Sequence, residues 1–401
     1  MDTGPHERGG SSHTGLSWAR SGHRRMLNLS TSVHEPDARV AAVRAAWHRL
    51  RVILLSAGVL SMAVGLYTGL IRLGIQLPSY GHPFVVLHGA FMICGFLGTV
   101  ICLERAVAYD RAWVYAAPLL SAIGTVALLV GAPRFGAVAF AIAGGIVVAA
   151  SAALAIRQFT LFMVALTVGA ACWVIGTYQW LLGDFSPAVT GWWLNFLVLT
   201  VAAERLELSR MRDLSGWSQI TFAGATLLLL FGSARGELTQ SSAPLTAAGL
   251  LGCTVWLLHY DIARRTVRLS GQPRFSAVAI LIGHAWLGVA GVILVAAPPG
   301  VAAFSYDALV HAIAIGFALS MIFGHAPIIL PAVIGIRVRF TSIAYIPLVL
   351  LQLSLGLRIT GDFLERADLR ESGAFITLFA LALYAAALAF SSTARAPRSP
   401  A

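Results

Sequence analysis

The stretch "HGAFMICGFLGTVICLERAVAYD", His88 to Asp110, decides how the rest of the chain is read. It opens with a histidine, runs through fifteen mostly apolar residues and closes on adjacent charges, Glu104 and Arg105. About 20 apolar residues in helical form cross the hydrocarbon core of a bilayer. The segment therefore predicts a membrane helix with an imidazole near one end and a Glu-Arg pair at the other. The frame Phe96-Leu97, six residues, Glu104-Arg105 returns 100 positions later as Phe196-Leu197, six residues, Glu204-Arg205.

The rest of the chain has the same character. Its 401 residues are 58% hydrophobic and 11% charged, with mean hydropathy +0.80, whereas a soluble domain carries roughly 25% charge. Twelve segments predict spans: 51–73, 83–103, 112–131, 135–156, 158–182, 189–206, 218–233, 243–261, 275–297, 305–334, 340–360 and 372–392. The expected class is all-α and polytopic. The tenth span holds Pro327 and Pro331 and is expected to kink near its end.

The net charge of +11 comes from arginine alone, since the chain has no lysine. A basic balance can signal nucleic acid, but these arginines fall at helix ends and read as topology signals, so the expected partner is the lipid bilayer. With both termini cytoplasmic, 22 arginines lie inside and six outside: Arg72, Arg134, Arg235, Arg358, Arg366 and Arg370. That follows the positive-inside rule and predicts a bacterial-type inner membrane. Residues 1–45 are polar and lack a cleavable apolar segment, so they read as a disordered cytoplasmic tail, with scattered histidines His6, His13, His23 and His34. Residues 46–392 form the membrane domain and 393–401 a short cytoplasmic tail. Cys94, Cys102, Cys172 and Cys253 all sit in apolar runs and read as packing residues.

Spans 2, 6 and 10 are spaced by four helices, and the first two end in the repeated frame. This predicts three four-helix units around a pseudo-threefold axis. Each Glu-Arg pair reads as a charged cap at the inner interface, with arginine reaching for head groups. The alternative is an inter-helix clamp or a proton-access role.

Histidine is the polar residue of interest within the spans, because neutral imidazole is the least costly ionisable group to bury and a preferred ligand for haem iron and copper. His88 and His311 both lie about 8 Å from the expected outer end of their helices, and His284 and His325 both lie about 13 Å from the inner end. Four histidines thus form two depth-matched pairs. His311 and His325, fourteen residues apart on one helix, share nearly the same face at a separation of about 21 Å. The outer pair reads as metal or haem ligands, and the inner pair as a second such site or as hydrogen-bonded packing residues. His259 and His82 read as interfacial, His82 with a further role open as a copper or supporting ligand. Met92, one turn after His88, reads as packing.

"HGAFMICGFLGTV" in span 2, "GHAWLGVAGVILV" in span 9 and "VHAIAIGFALSMIFGHAP" in span 10 resemble the NnrS family of haem-containing membrane proteins and, more distantly, the haem-copper oxidases. The resemblance covers roughly residues 50–392. It implies a twelve-helix haem-copper-oxidase-like fold, haem b held by His88 and His311, and a role in handling nitric oxide or resisting nitrosative stress. The chain departs from the oxidases where they bind copper: span 6 has Trp192, Trp193 and Asn195 but no histidine, and span 7 has none. Positions 309 and 313, either side of His311, are Leu and Ile. A three-histidine copper centre is therefore not expected.

The leading expectation is a haem b-binding membrane protein for electron transfer or sensing, working with a redox partner protein. A transporter or channel whose histidines, glutamates and arginines line a path is the alternative, and an assembly protein for a respiratory complex is a third.

Overall fold

The computed structural model describes residues 38–78, 82–183, 185–209, 215–236 and 242–394. The expected N-terminal tail lies almost entirely outside the described residues, as do its four histidines and the last seven residues. The chain divides into residues 1–44, described only where the first helix begins, and residues 45–401.

The described chain is a bundle of long helices: α1 (Ala38–Arg72), α2 (Ala90–Tyr109), α3 (Ala112–Leu129), α4 (Pro133–Arg157), α5 (Leu161–Leu182), α6 (Pro187–Ser209), α7 (Gly216–Ala234), α8 (Ala243–Tyr260), α9 (Gln272–Ala296), α10 (Ser305–Ile334), α11 (Ser342–Phe363) and α12 (Ala367–Ser391). Prolines open α4, α6, α8 and α9, where a missing N–H costs nothing and the fixed φ suits the first turn. Eleven helices are long and apolar enough to cross a membrane among the described residues. The remaining one, α6, has span length, but Asn195, Glu204, Arg205 and Glu207 lower its hydropathy. The protein is lipid-embedded and multi-pass, and its outer helices turn Ile53, Ile142 and Phe379 outward. A two-stranded ladder, β1 (Ile336–Val338) with β2 (Ser392–Ala394), ties the end of α10 to the end of α12.

Burial separates the helices into two kinds. Seventeen of the 23 residues of α6 are buried, and α2 and α10 are the most buried of the apolar spans, at 72% and 61% of their most apolar stretch. For α1 and α12 the share is 22%. The three helices spaced by four in sequence therefore have the least lipid-facing surface. From α2 onward consecutive helices pack against one another, and α10 also meets α2, α6 and α9. Small residues permit close approach, as at Gly95, where an added Cβ would stand 2.0 Å from Ser61 Oγ of α1 and 2.7 Å from Thr125 Oγ1 of α3. The four cysteines are buried and unpaired, in keeping with a packing role.

Two irregularities matter for function. α2 opens with an eight-residue π-helical segment, Ala90–Leu97, and α10 contains another, Ala312–Leu319. Such i→i+5 turns are rare and concentrate at functional sites, because they change the direction in which following side chains leave the helix. One begins two residues after His88 and the other immediately after His311.

Candidate functional site

The two outer histidines meet. The imidazoles of His88 and His311 have ring centroids 6.3 Å apart and planes inclined by 23°. His88 precedes α2 and lies against α1, where Gly65 and Gly69 are one turn apart. Its Nδ1 is 2.6 Å from the Gly65 carbonyl oxygen. An added Cβ at Gly69 would approach His88 Cε1 to 2.9 Å, so only glycine leaves room for the ring in this position. The Nδ1 of His311 is 2.8 Å from the carbonyl oxygen of Asp307, one turn earlier. A carbonyl can only accept, which assigns the proton to Nδ1 on both rings and leaves each Nε2 with a free lone pair. No hydrogen-bond partner for either Nε2 occurs among the described residues. Both rings line a cavity of about 360 Å³ with Met92, Phe96, Phe304 and Ile315. Its size and apolar lining are those of a small-molecule or cofactor site.

Three arginines reach the same cavity: Arg72, Arg358 and Arg370. Arg358 donates from Nη2 to Asp307 Oδ2 at 2.7 Å. Arg370 donates from Nε to Asp362 Oδ1 at 2.6 Å, and its guanidinium lies 3.7 Å above the Phe304 ring. Asp307 therefore has two tasks: its carbonyl orients His311 and its carboxylate anchors Arg358. No acid pairs with Arg72 among the described residues. Guanidinium groups beside an apolar cavity suit a planar carboxylate-bearing ligand.

The opposite end of the same helices carries a second polar cluster. Arg105, 7% exposed, donates from Nη2 to Glu104 Oε1 at 3.0 Å and to Glu204 Oε1 at 2.7 Å. Arg205, 3% exposed, donates from Nη1 to His325 Nε2 at 2.9 Å and places Nε 3.0 Å from Asp261 Oδ2. That oxygen also accepts from His284 Nε2 at 2.9 Å, while Oδ1 accepts from the Ala263 N–H at 2.8 Å. Asp261, just past the end of α8, is fully buried. Burial disfavours its charge, but the His284 hydrogen bond and the Arg205 guanidinium outweigh that and hold its carboxyl below the usual carboxylate range.

The Glu-Arg pairs, expected as interfacial caps, instead turn inward. An arginine in a nonpolar bundle needs acceptors: α6 supplies Glu204 to Arg105 of α2, while Arg205 of α6 is met by His325 of α10 and by Asp261, so the pairs clamp helices together. His284 and His325 join this network, each committing its Nε2 to a separate protein partner. Among the described residues no group of three or more His, Cys, Asp or Glu is placed to hold a metal ion. The His259 side chain is exposed, and the side chain of His82 lies outside the described residues. Met92 packs against Gly65 and also borders the cavity. Asn195, on α6, donates to Ser233 Oγ at 2.9 Å.

Sequence reasoning missed four contributors. Arg358 and Arg370 served there only as topology marks, although their sharing of an end with His88 was visible. Asp261 follows the boundary residue His259 by two positions and sits in no motif. His48, 2.8 Å from the Ile334 carbonyl oxygen, had no motif around it.

Residues 51–393 match the family described as "Domain of unknown function (DUF8744)". No curated protein matches the chain.

Proposed function

The chain belongs to the DUF8744 family, and we propose, from the geometry of its two outer histidines, that it is a membrane haem b protein whose iron is held between His88 and His311. The observation that carries this reading is the ring pair itself. A metal–imidazole bond of about 2 Å with about 1.2 Å more to each ring centre puts two axial imidazoles about 6.4 Å apart, and the centroids here are 6.3 Å apart. Both rings have Nδ1 satisfied by a backbone carbonyl, the support that fixes the orientation of a ligating histidine. The arginines at the cavity supply partners for carboxylate substituents. The two central helices that bear the rings, and the buried α6 between them in sequence, support the expected pseudo-threefold, oxidase-like arrangement.

A haem held by His88 and His311 would supply one-electron chemistry, and with two histidine ligands it would favour electron transfer or sensing over ligand activation. The chain's part is to orient two imidazoles, pair the haem's carboxylates and exclude water with Met92, Phe96 and Ile315. Nitric oxide enters only through the NnrS resemblance, as the molecule to try first as an effector. Neither a copper centre nor a second metal at His284 and His325 is part of the proposal.

The test is an absorption spectrum and haem assay on protein purified from haem-replete cells. The expected result is a Soret band, lost in His88→Ala and His311→Ala and retained in His284→Ala and His325→Ala. A folded wild-type protein without a Soret band sinks the reading.

A further inference from the structure

The cluster at the far end of α2, α6 and α10 is not explained by haem binding. We propose that Glu104 and Glu204 form a one-proton site that loads from the aqueous phase at their end of the bundle, the end expected to face the cytoplasm. The proposal does not rest on the haem reading.

It rests on how the charges are arranged. Both carboxylates accept from the same nitrogen, Nη2 of Arg105, at 3.0 and 2.7 Å. Two carboxylates converging on one donor in a desolvated place resist being ionised together. Neither glutamate receives a hydrogen bond from the second arginine. Arg205, next in sequence to Glu204, is directed to Asp261 and His325. His325 accepts from Arg205 at Nε2, so it is neutral. His284 spends its Nε2–H on Asp261, and its Nδ1 is buried with no partner; a second ring N–H would be stranded there, so it is neutral too. Within ion-pair distance, two guanidinium groups therefore meet three carboxylates, Glu104, Glu204 and Asp261, and Glu207, facing Arg105 from farther off, adds negative charge rather than relieving it. One added proton makes the cluster neutral, and an unbalanced buried charge is costly.

Asp261 is not its carrier, since it is fully buried and already accepts from His284 and Ala263. The glutamates remain, and their side chains keep 23% and 17% of their surface exposed, enough to meet water. Glu207 and Tyr109 also face Arg105 from α6 and α2; Glu207 is partly exposed. Loading transfers a proton from hydronium to one carboxylate oxygen, giving a carboxylic acid and water. Unloading reverses this, and only O–H bonds change. The duplicated Glu-Arg frame supplies one carboxylate from each copy, so the site exists only when α2 and α6 are packed together.

Infrared spectroscopy on the full chain in lipid nanodiscs tests this. The wild type is expected to show a protonated-carboxyl C=O band that titrates away as pH rises, and ¹³C-glutamate labelling is expected to shift it. Glu104→Gln and Glu204→Gln each leave a single carboxylate balanced by Arg105, so each is expected to abolish the band. Glu207→Gln is expected to keep it. The idea is overturned by the absence of a titrating glutamic-acid band in the wild type, a measurement that needs no variant to fold. It is equally overturned by a band that survives both single substitutions.

Discussion

His88 and His311 are separated by 223 positions in the chain and by 6.3 Å between ring centroids. Each is held by a backbone carbonyl at Nδ1, one from the neighbouring helix α1 and one from its own helix. Each also stands at the mouth of a π-helical segment. A π-helical segment thus follows each of the two rings, and its i→i+5 turns set the direction in which the side chains beyond it leave the helix. Four predictions follow from this arrangement and from the network at the other end.

Space at Gly69 sets the position of His88. Gly69→Ala places a Cβ 2.9 Å from His88 Cε1 and forces the ring to move. Overpacking of this kind costs about 1–3 kcal/mol, and here it acts on a proposed ligand. The expected outcome is lower haem content or a shifted Soret band, measured against Gly145→Ala, where an added Cβ meets nothing within 4 Å.

Arg358 and Arg366 each pair with an aspartate, in different surroundings. The Arg358 side chain is 10% exposed and its partner Asp307 24%, whereas Arg366 and Asp368 are both 59% exposed. Arg358→Gln leaves a partly desolvated carboxylate beside His311 and is expected to cost about 1–3 kcal/mol with loss of haem affinity. Arg366→Gln, in a solvent-exposed pair, is expected to leave both the melting temperature and the spectrum unchanged. Thermal melting followed at the Soret band and by circular dichroism checks both.

Asp261 gives the fold an acid-sensitive joint. Its carboxyl is held below the usual carboxylate range by His284 and Arg205, so the stabilisation is present above the unfolded-state value and lost as pH falls through the lower folded value. Asp261→Asn is expected to destabilise the protein at neutral pH by about 3–5 kcal/mol, because Arg205 is left buried without its acid. The gap between variant and wild type is expected to narrow in acid. A constant gap across a pH series of melts would contradict the assignment.

Asn195 has a structural task. It is 3% exposed and donates to Ser233 Oγ and to the Leu229 carbonyl. Asn195→Ala is expected to cost about 1–3 kcal/mol through unpaired groups on α7 and to leave the absorption spectrum as it is in the wild type.

Much of this was legible in the residues. Apolar run length found the helices, since length and hydropathy are local quantities. The spacing of spans 2, 6 and 10 picked out the helices that proved most buried. Depth matching of His88 with His311 worked because rise per residue is fixed, so equal distances from a helix end mean equal heights. The same rule paired His284 with His325, and there it gave no direction: both are near one height, but each faces a different partner. Height constrains one coordinate only, and the other two depend on how each helix is turned within the bundle.

The sequence by itself determined that this protein is a multi-helix membrane protein with a repeated Glu-Arg frame and histidines at two depths. Packing decided what those residues do. The rings of His88 and His311 meet because α2 and α10 come together in the interior; the Glu-Arg ends became a buried clamp because each arginine found acceptors on a neighbouring helix. Run length and rise along the axis are set within one helix, but rotation and partner choice are set by the close packing of several helices, and only the tertiary structure carries that information.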